Sequence, residues 1–302
     1  MRFLLACLAL WPLFAFAIQP TRIAPGVYAF IGDAGEVTPA NSGFAGNAGF
    51  IIGTDGIIVI DTGISYRFAQ EMLTAIQQIS HQPIRLVILT HATQEFIFGA
   101  AFFQERGIPI LAHRRTADLM RARCENCLNN LRQVMGREHM ENSAVVKPDR
   151  QIDHSVKLSI AGRPIELLHF GWGSTVGDLV VFDCTSGVAF AGGLVSNGRI
   201  PDLRDGDFGG WLEALGALEK LSATVVVPGF GPPGPATRIS DTRDYLRALD
   251  NAVRSQYHDG VSLLNVSSQT PLPAFASWKQ YSALHPKNVE QRYLEVEREE
   301  FN

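Results

Sequence analysis

The residues in this chain with the right chemistry for a reactive centre are spread thinly. His91 follows Thr90 where the apolar run of residues 85–89 ends, and Glu95 comes four residues later. A polar His where a buried strand gives way to a helix is the position at which α/β proteins place their chemistry. If a helical turn links them, His91 and Glu95 face one cleft, either as an acid–base pair or as a structural ion pair. His113 and His169 each close an apolar run and can lie near a cleft edge. A metal-binding loop needs several His and Asp close together, yet the residues after His91 are Ala92, Thr93, Gln94, Glu95 and Phe96. His91 therefore reads as a hydrogen-bonded side chain or as one ligand of a sparse site.

The second chemical feature is Cys124-Glu125-Asn126-Cys127. Three residues apart on a helix, two cysteine α-carbons fall within disulfide range. A structural bridge, a redox-labile bridge and a zinc site completed by His139 are all open, with the plain disulfide the expectation in an oxidising compartment. Cys184, in the strand-like run LVVFDC, is expected to be a buried free thiol.

That compartment is suggested by the first seventeen residues, MRFLLACLALWPLFAFA. Arg2, an apolar run and Ala15-Phe16-Ala17 form the pattern of a cleaved secretory leader. The run is shorter than the ~20 residues of a spanning helix. The expected organisation is a signal peptide over 1–17 and one domain over 18–302, periplasmic or secreted. Removing Arg2 leaves 25 basic against 30 acidic residues, a net of −5. Lys/Arg-rich runs are missing, so nucleic acid is not an expected partner. No later run is apolar for long enough to span a membrane.

Elements that would position these residues can be traced in order. GVYAFIG and NAGFIIGTDGIIVIDTG read as strands, with Thr54-Asp55-Gly56 as a hairpin turn. Residues 65–80 place Phe68, Met72, Leu73 and Ile76 at helical spacing. Strand RLVILTH, helix FIFGAAFFQERG and strand IPILAH follow, and the alternation predicts a mainly parallel sheet in the first half. Residues 115–135 read as a helix carrying both cysteines. The second half has strands at VKLSI and IELLHF, and a hairpin turning at Thr185-Ser186-Gly187. It continues with helix WLEALGALEKLS, strand ATVVVPG, helix TRDYLRALDNAVRSQYHDG and a C-terminal helical extension. Both halves thus repeat hairpin, helix, strand and loop.

IIVIDTG, VILTH before a helix, HFGWGSTVGDLVVF, FAGGLVSNGRIPDL and VVVPGFGPPG occur in an order that resembles the metallo-β-lactamase superfamily. SALHPKNVEQRYLEVE and CENC are more narrowly similar to exported quinoprotein-relay-type zinc metallohydrolases. The resemblance covers nearly all of the mature chain and implies an α/β fold, the αββα sandwich with two mixed sheets between outer helices. It also implies a dinuclear metal cleft along one edge.

Carried over residue by residue, the family's ligand loop His-x-His-x-Asp-His falls on His91, Thr93, Glu95 and Phe96. Its later ligands fall on Ser174, Gly193 and Phe230, and Asp61 matches the carboxylate that supports the metal loop. Zinc needs three or four N, S or O ligands, and a catalytic site adds an open position for water. The set present here implies no resident cofactor, with zinc only if His113 or His169 rebuilds a site.

The first expectation is a non-catalytic binding or accessory protein whose partner is a small molecule or a periplasmic redox protein. The alternatives are a hydrolase rebuilt on His91 and Glu95, and a thiol-redox accessory using Cys124 and Cys127. Asn197-Gly198-Arg199, Asp202, Asp205 and Asp207 are expected to shape the cleft entrance. Trp172 and Trp211 are placed either at its rim or in the core.

Overall fold

Alternation along the strands decides which layer each side chain enters. In the computed structural model, which describes residues 18–301, the strand Ile57–Ile60 (β4) is buried on both faces. Ile58 and Ile60 join Leu86, Ile88, Leu167, Val181, Val188, Phe190 and Val227 between two sheets. Ile57 and Val59 pack the other way, beneath helices, with Phe68, Met72, Phe96 and Leu128. Side chains of successive strand residues point to opposite faces, so one apolar run fills two cores.

The first sheet has seven strands in chain order: β1 (Thr21–Ala24), β2 (Val27–Phe30), β3 (Ala48–Ile52), β4, β5 (Ile84–Ile88), β6 (Ile110–His113) and β7 (Arg150–Ile152). The expectation of mainly parallel pairing holds only for its second part. Pairs from β1 to β4 are antiparallel, and those from β4 to β7 are parallel. The physical reason is connection length: the Thr54-Asp55-Gly56 turn can only return the chain antiparallel, while a helix is needed to cross over.

The second sheet has the order β12 (Val225–Phe230), β11 (Val188–Ser196), β10 (Val180–Asp183), β9 (Arg163–Leu168) and β8 (Val156–Ile160). It is antiparallel except for β11 beside β12. The repeated plan is visible in the pairing: hairpin β3–β4 then parallel β5, hairpin β10–β11 then parallel β12.

Helices α1 (Tyr66–Ile79), α2 (Gln94–Ile97), α3 (Ala100–Gln104) and α4 (Arg114–Met135) cover the first sheet. Helices α5 (Phe208–Glu219), α6 (Ile239–His258), α7 (Leu263–Gln269) and α8 (Tyr281–Glu300) cover the second. The result is the αββα sandwich. The helix expected over FIFGAAFFQERG is instead the pair α2 and α3, broken at Phe98-Gly99. A Cβ on Gly99 would lie 2.1 Å from the Thr62 carbonyl oxygen, so the chain passes too close to the β4–α1 turn for anything but glycine.

Cys184 corrects another expectation: it lies just past β10 and is exposed, because the strand ends at Asp183. Asp183 is the buried residue, paired with Arg163 at 2.6 Å. Among the described residues no helix is long and apolar enough to cross a membrane. The leader expected over 1–17 lies outside the described residues.

Candidate functional site

The two parallel pairs, β4–β5 and β11–β12, bring their C-terminal ends to one edge of the sandwich. Asn47 ties the two sheets together there. Its amide donates to the carbonyls of Pro228 and Gly231 at 2.8 Å, and its Oδ1 accepts from the Gly32 N–H at 3.0 Å.

Asp61 follows β4 with φ +55°, a left-handed conformation that Asp tolerates better than most residues. Its carboxylate accepts from the Thr90 N–H and Thr90 Oγ1, both at 2.8 Å. Thr90 Oγ1 is also 2.8 Å from His91 Nδ1. A hydroxyl has one proton to give. With Asp61 ionised, the hydrogen on the ring therefore sits at Nδ1, and Nε2 is the free lone pair.

Burial shapes this chain of three. It raises Asp61 from 3.8 to about 7, against the two Thr90 hydrogen bonds, and lowers His91 from 6.5 to about 3. A carboxyl raised in the fold stabilises most below its unfolded value, and that contribution fades as pH rises toward 7. A lowered His stabilises above 6.5, and its contribution is lost as pH falls toward 3. The two slopes therefore oppose each other over the shared window from 3.8 to 6.5. Asp61→Asn removes one of them. Relative to wild type, its urea-unfolding free energy is expected to rise with pH through this window, by up to about 1.4 kcal/mol per unit. Parallel profiles for the two proteins would contradict the coupling.

Around His91 the neighbours are largely apolar. The Phe96 ring lies 4.3 Å from the His91 ring, and Phe230 meets Phe96 edge-on at 5.2 Å. The Ser174 hydroxyl is committed to Asp178 Oδ1 at 2.9 Å. Gly193 has no room for a side chain: a Cβ there would sit 2.3 Å from Ser174 Oγ and 2.8 Å from His91 Cδ2.

Thr93 begins α2 without a capping hydrogen bond and lines the same hollow. Glu95 also lines it and is only 8% exposed. One of its oxygens lies 4.0 Å from Arg199, while the other has no hydrogen-bond partner. Burial raises its pKa, and Arg199 works against that rise. The hollow, about 410 Å³, is also lined by Ala283, Leu284 and Lys287 of α8.

The profile of the metallo-β-lactamase superfamily matches residues 41–229. The chain belongs to that superfamily. A metallo-β-lactamase type 2 from Bacteroides fragilis is 21% identical over 202 residues, 65% of this chain and 73% of the relative. The Bacillus cereus type 2 enzyme is 23% identical over 219 residues, 70% and 75% of the two chains. Among solved structures, a metallo-β-lactamase from Pontibacter korlensis superposes with a TM-score of 0.63 at 23% identity, covering 76% of this chain and 98% of that one. DIM-1 metallo-β-lactamase gives 0.61 at 18%, covering 76% and 96%.

For a metallo-β-lactamase-fold protein the question is whether its residues fit a metal. Among the described residues, no three or more His, Cys, Asp or Glu side chains are placed to hold one. The titratable donors lining the hollow, His91, Glu36, Glu95, Asp202 and Asp205, are not so grouped, and the Phe96–Phe230 pair against His91 makes burying a dication there costly. The donor set does not fit zinc.

His113 and His169 meet each other, with rings stacked at 4.0 Å, and neither lines the hollow. His113 Nδ1 accepts from Arg115 N–H at the start of α4, and His169 Nδ1 is 2.9 Å from the Asp178 carbonyl oxygen. His139 is elsewhere, beside Ser65 and Glu71.

The expected entrance loop behaves differently at its two ends. Asp202 and Asp205 line the hollow, while Asp207 caps α5 by accepting from Gly210 N–H at 2.7 Å. Arg199 is buried wall, its guanidinium 3.7 Å above the Phe230 ring. Trp172 is 44% exposed and does not line the hollow, although its Nε1–H donates to the Asp205 carbonyl at 2.8 Å, whereas Trp211 is core and also lines the hollow. The α8 residues were not anticipated. Nothing in their local sequence separates a cleft wall from an ordinary amphipathic helix face.

Proposed function

We propose that this protein is an exported, metal-independent member of the superfamily that binds a small molecule and does not hydrolyse it, beside a periplasmic redox system. The observation that carries the reading is the Phe96–Phe230 edge-to-face pair against His91, with Arg199 stacked on Phe230. The two rings put apolar volume at positions the resemblance matches to metal ligands, while a roomy hollow lined by His91 and Phe230 persists. Without a metal-acidified water the fold lacks its hydrolytic nucleophile. The leader-like start and the resemblance to quinoprotein-relay proteins support export and the redox setting.

The testing experiment is elemental analysis of the protein after zinc loading and desalting, paired with an ester, thioester and lactam hydrolysis screen. Far less than one metal per chain and no turnover are expected. A second reading, a hydrolase rebuilt on His91 and Glu95, is favoured by the unpartnered Glu95 oxygen in the same hollow. Stoichiometric metal together with turnover lost in His91→Ala would establish it and overturn the first.

A further inference from the structure

Helix α4 carries two thiols in unequal surroundings. Cys124 is buried in the core with Leu128 and Leu131. Cys127, on the next turn, is half-buried against the same core. Both are free thiols in the structure, where a bridge was expected.

The reason lies in helix geometry. Residues three apart hold their Cβ atoms about 5–6 Å apart. A disulfide needs about 3.5–4.5 Å. An intact helical turn thus favours the dithiol, and closing the bridge must draw the turn together. That makes the closed form the more easily reduced one.

Charge separates the two sulfurs further. The hydrogen bond from Cys124 lowers Cys127 to about 6, helped by Arg204 and Arg123, with burial and the Asp205 carboxylate opposing. The hydrogen bond to Cys127, then burial, pushes Cys124 up. Asp205 accepts a hydrogen bond from Arg123 and lies 3.6 Å from Arg204, so it anchors both cations beside the pair.

We propose that Cys124 and Cys127 form a dithiol–disulfide exchange site whose co-substrate is a small disulfide, with Cys127 attacking and Cys124 resolving. The Cys127 thiolate attacks one sulfur of the external disulfide. A Cys127–S bond forms, the external S–S bond breaks, and the departing thiolate takes a proton from water. Cys124 then gives its proton to water and attacks Cys127 Sγ, expelling the second thiolate. The dithiol loses two electrons and two protons, and the external disulfide becomes two thiols.

The test uses the full chain in a C7S/C184S background, because Cys184 is exposed and would report independently. With 5,5′-dithiobis(2-nitrobenzoate) as the probe, two chromophores per chain should be released. No label should be retained, and the peptide holding both cysteines should lose two hydrogens by mass. This readout needs no variant at the pair.

In Cys124→Ser, one mixed disulfide should be trapped on Cys127 with only one chromophore released. In Cys127→Ser, labelling should slow by roughly tenfold or more. The pH midpoint for iodoacetamide alkylation of Cys127 should lie near 6 and move up in Cys124→Ser. Two labels retained on the chain, or a Cys127 midpoint near the ~8.5 of a free thiol, would overturn the proposal. None of these readouts depends on what the cleft binds.

Discussion

Truncating Phe96 to alanine is expected to cost about 3–5 kcal/mol of stability, the range for deleting a well-packed phenyl ring. The side chain is fully buried, with His91 on one side and Phe230 edge-on at 5.2 Å on the other. Its tip faces Gly46, where a Cβ would come within 2.6 Å of Phe96 Cζ. Three neighbours with fixed positions cannot collapse far into the space left behind. The backbone contribution should survive, because the Phe96 carbonyl oxygen still accepts from Thr62 N–H at 2.8 Å and from Thr62 Oγ1 at 2.9 Å.

Phe96→His separates packing from chemistry. It keeps most of the ring volume but places polar nitrogens against Gly46 and Phe230, at a cost of about 1–3 kcal/mol if they find no partner. Zinc affinity should not appear, since Phe230 and Gly193 still supply no donor. Urea unfolding at constant m-value measures both variants. A loss below about 1 kcal/mol in Phe96→Ala would show that the site relaxes and that its closure is not a packing effect.

The fold was readable because its signals are local and repeated. Thr54-Asp55-Gly56 and Thr185-Ser186-Gly187 each set a hairpin, giving the Ile52–Ile57 and Asp183–Val188 pairings. What failed depended on close approach. Gly99 breaks a helix because the Thr62 carbonyl lies against it, a contact 37 positions back that no helical periodicity encodes. The site divides the same way. His91 lies just past the end of β5 and Phe230 ends β12, positions that strand patterning locates, while Glu95 lies in the first turn of α2. Arg199 looked like a loop residue, yet it is wall because its guanidinium has an aromatic face to cover. His113 and His169 ended apolar runs as expected, but strand ends alone do not say which edge of a sandwich they serve.

The cleft wall formed by α8 leads to the last expected result: Arg292→Met should lower stability by about 3 kcal/mol, the low end for removing one member of a buried ionic cluster. Arg292 is 2% exposed. It donates to Asp250 at 2.8 Å, to Glu295 at 2.9 Å and to Glu299 at 2.8 Å, and its guanidinium lies 4.2 Å above the Phe208 ring. Methionine retains much of the stem packing but takes the guanidinium from three carboxylates, leaving Asp250 and Glu299 to Arg254 and Glu295 to the Gln291 amide at 3.3 Å. The low end applies because Glu299 is half exposed and can rehydrate. Arg292→Lys keeps the charge without the planar fork, and should fall between the two.

The consequence for the site follows from connectivity. Asn288 of α8 donates to the Pro201 carbonyl at 2.8 Å, and the Lys279 backbone brackets Arg199 by hydrogen bonds to Gly198 and Ile200. Loosening α8 therefore loosens the wall that holds Arg199 over Phe230. Hydrogen exchange in Arg292→Met should quicken through α8 and residues 198–203 while β4 and β5 keep their protection. Equal loss of protection in β4 would mean that α8 unfolds only with the whole sandwich. The cleft wall would then have no independent mobility through which a bound ligand could act on it.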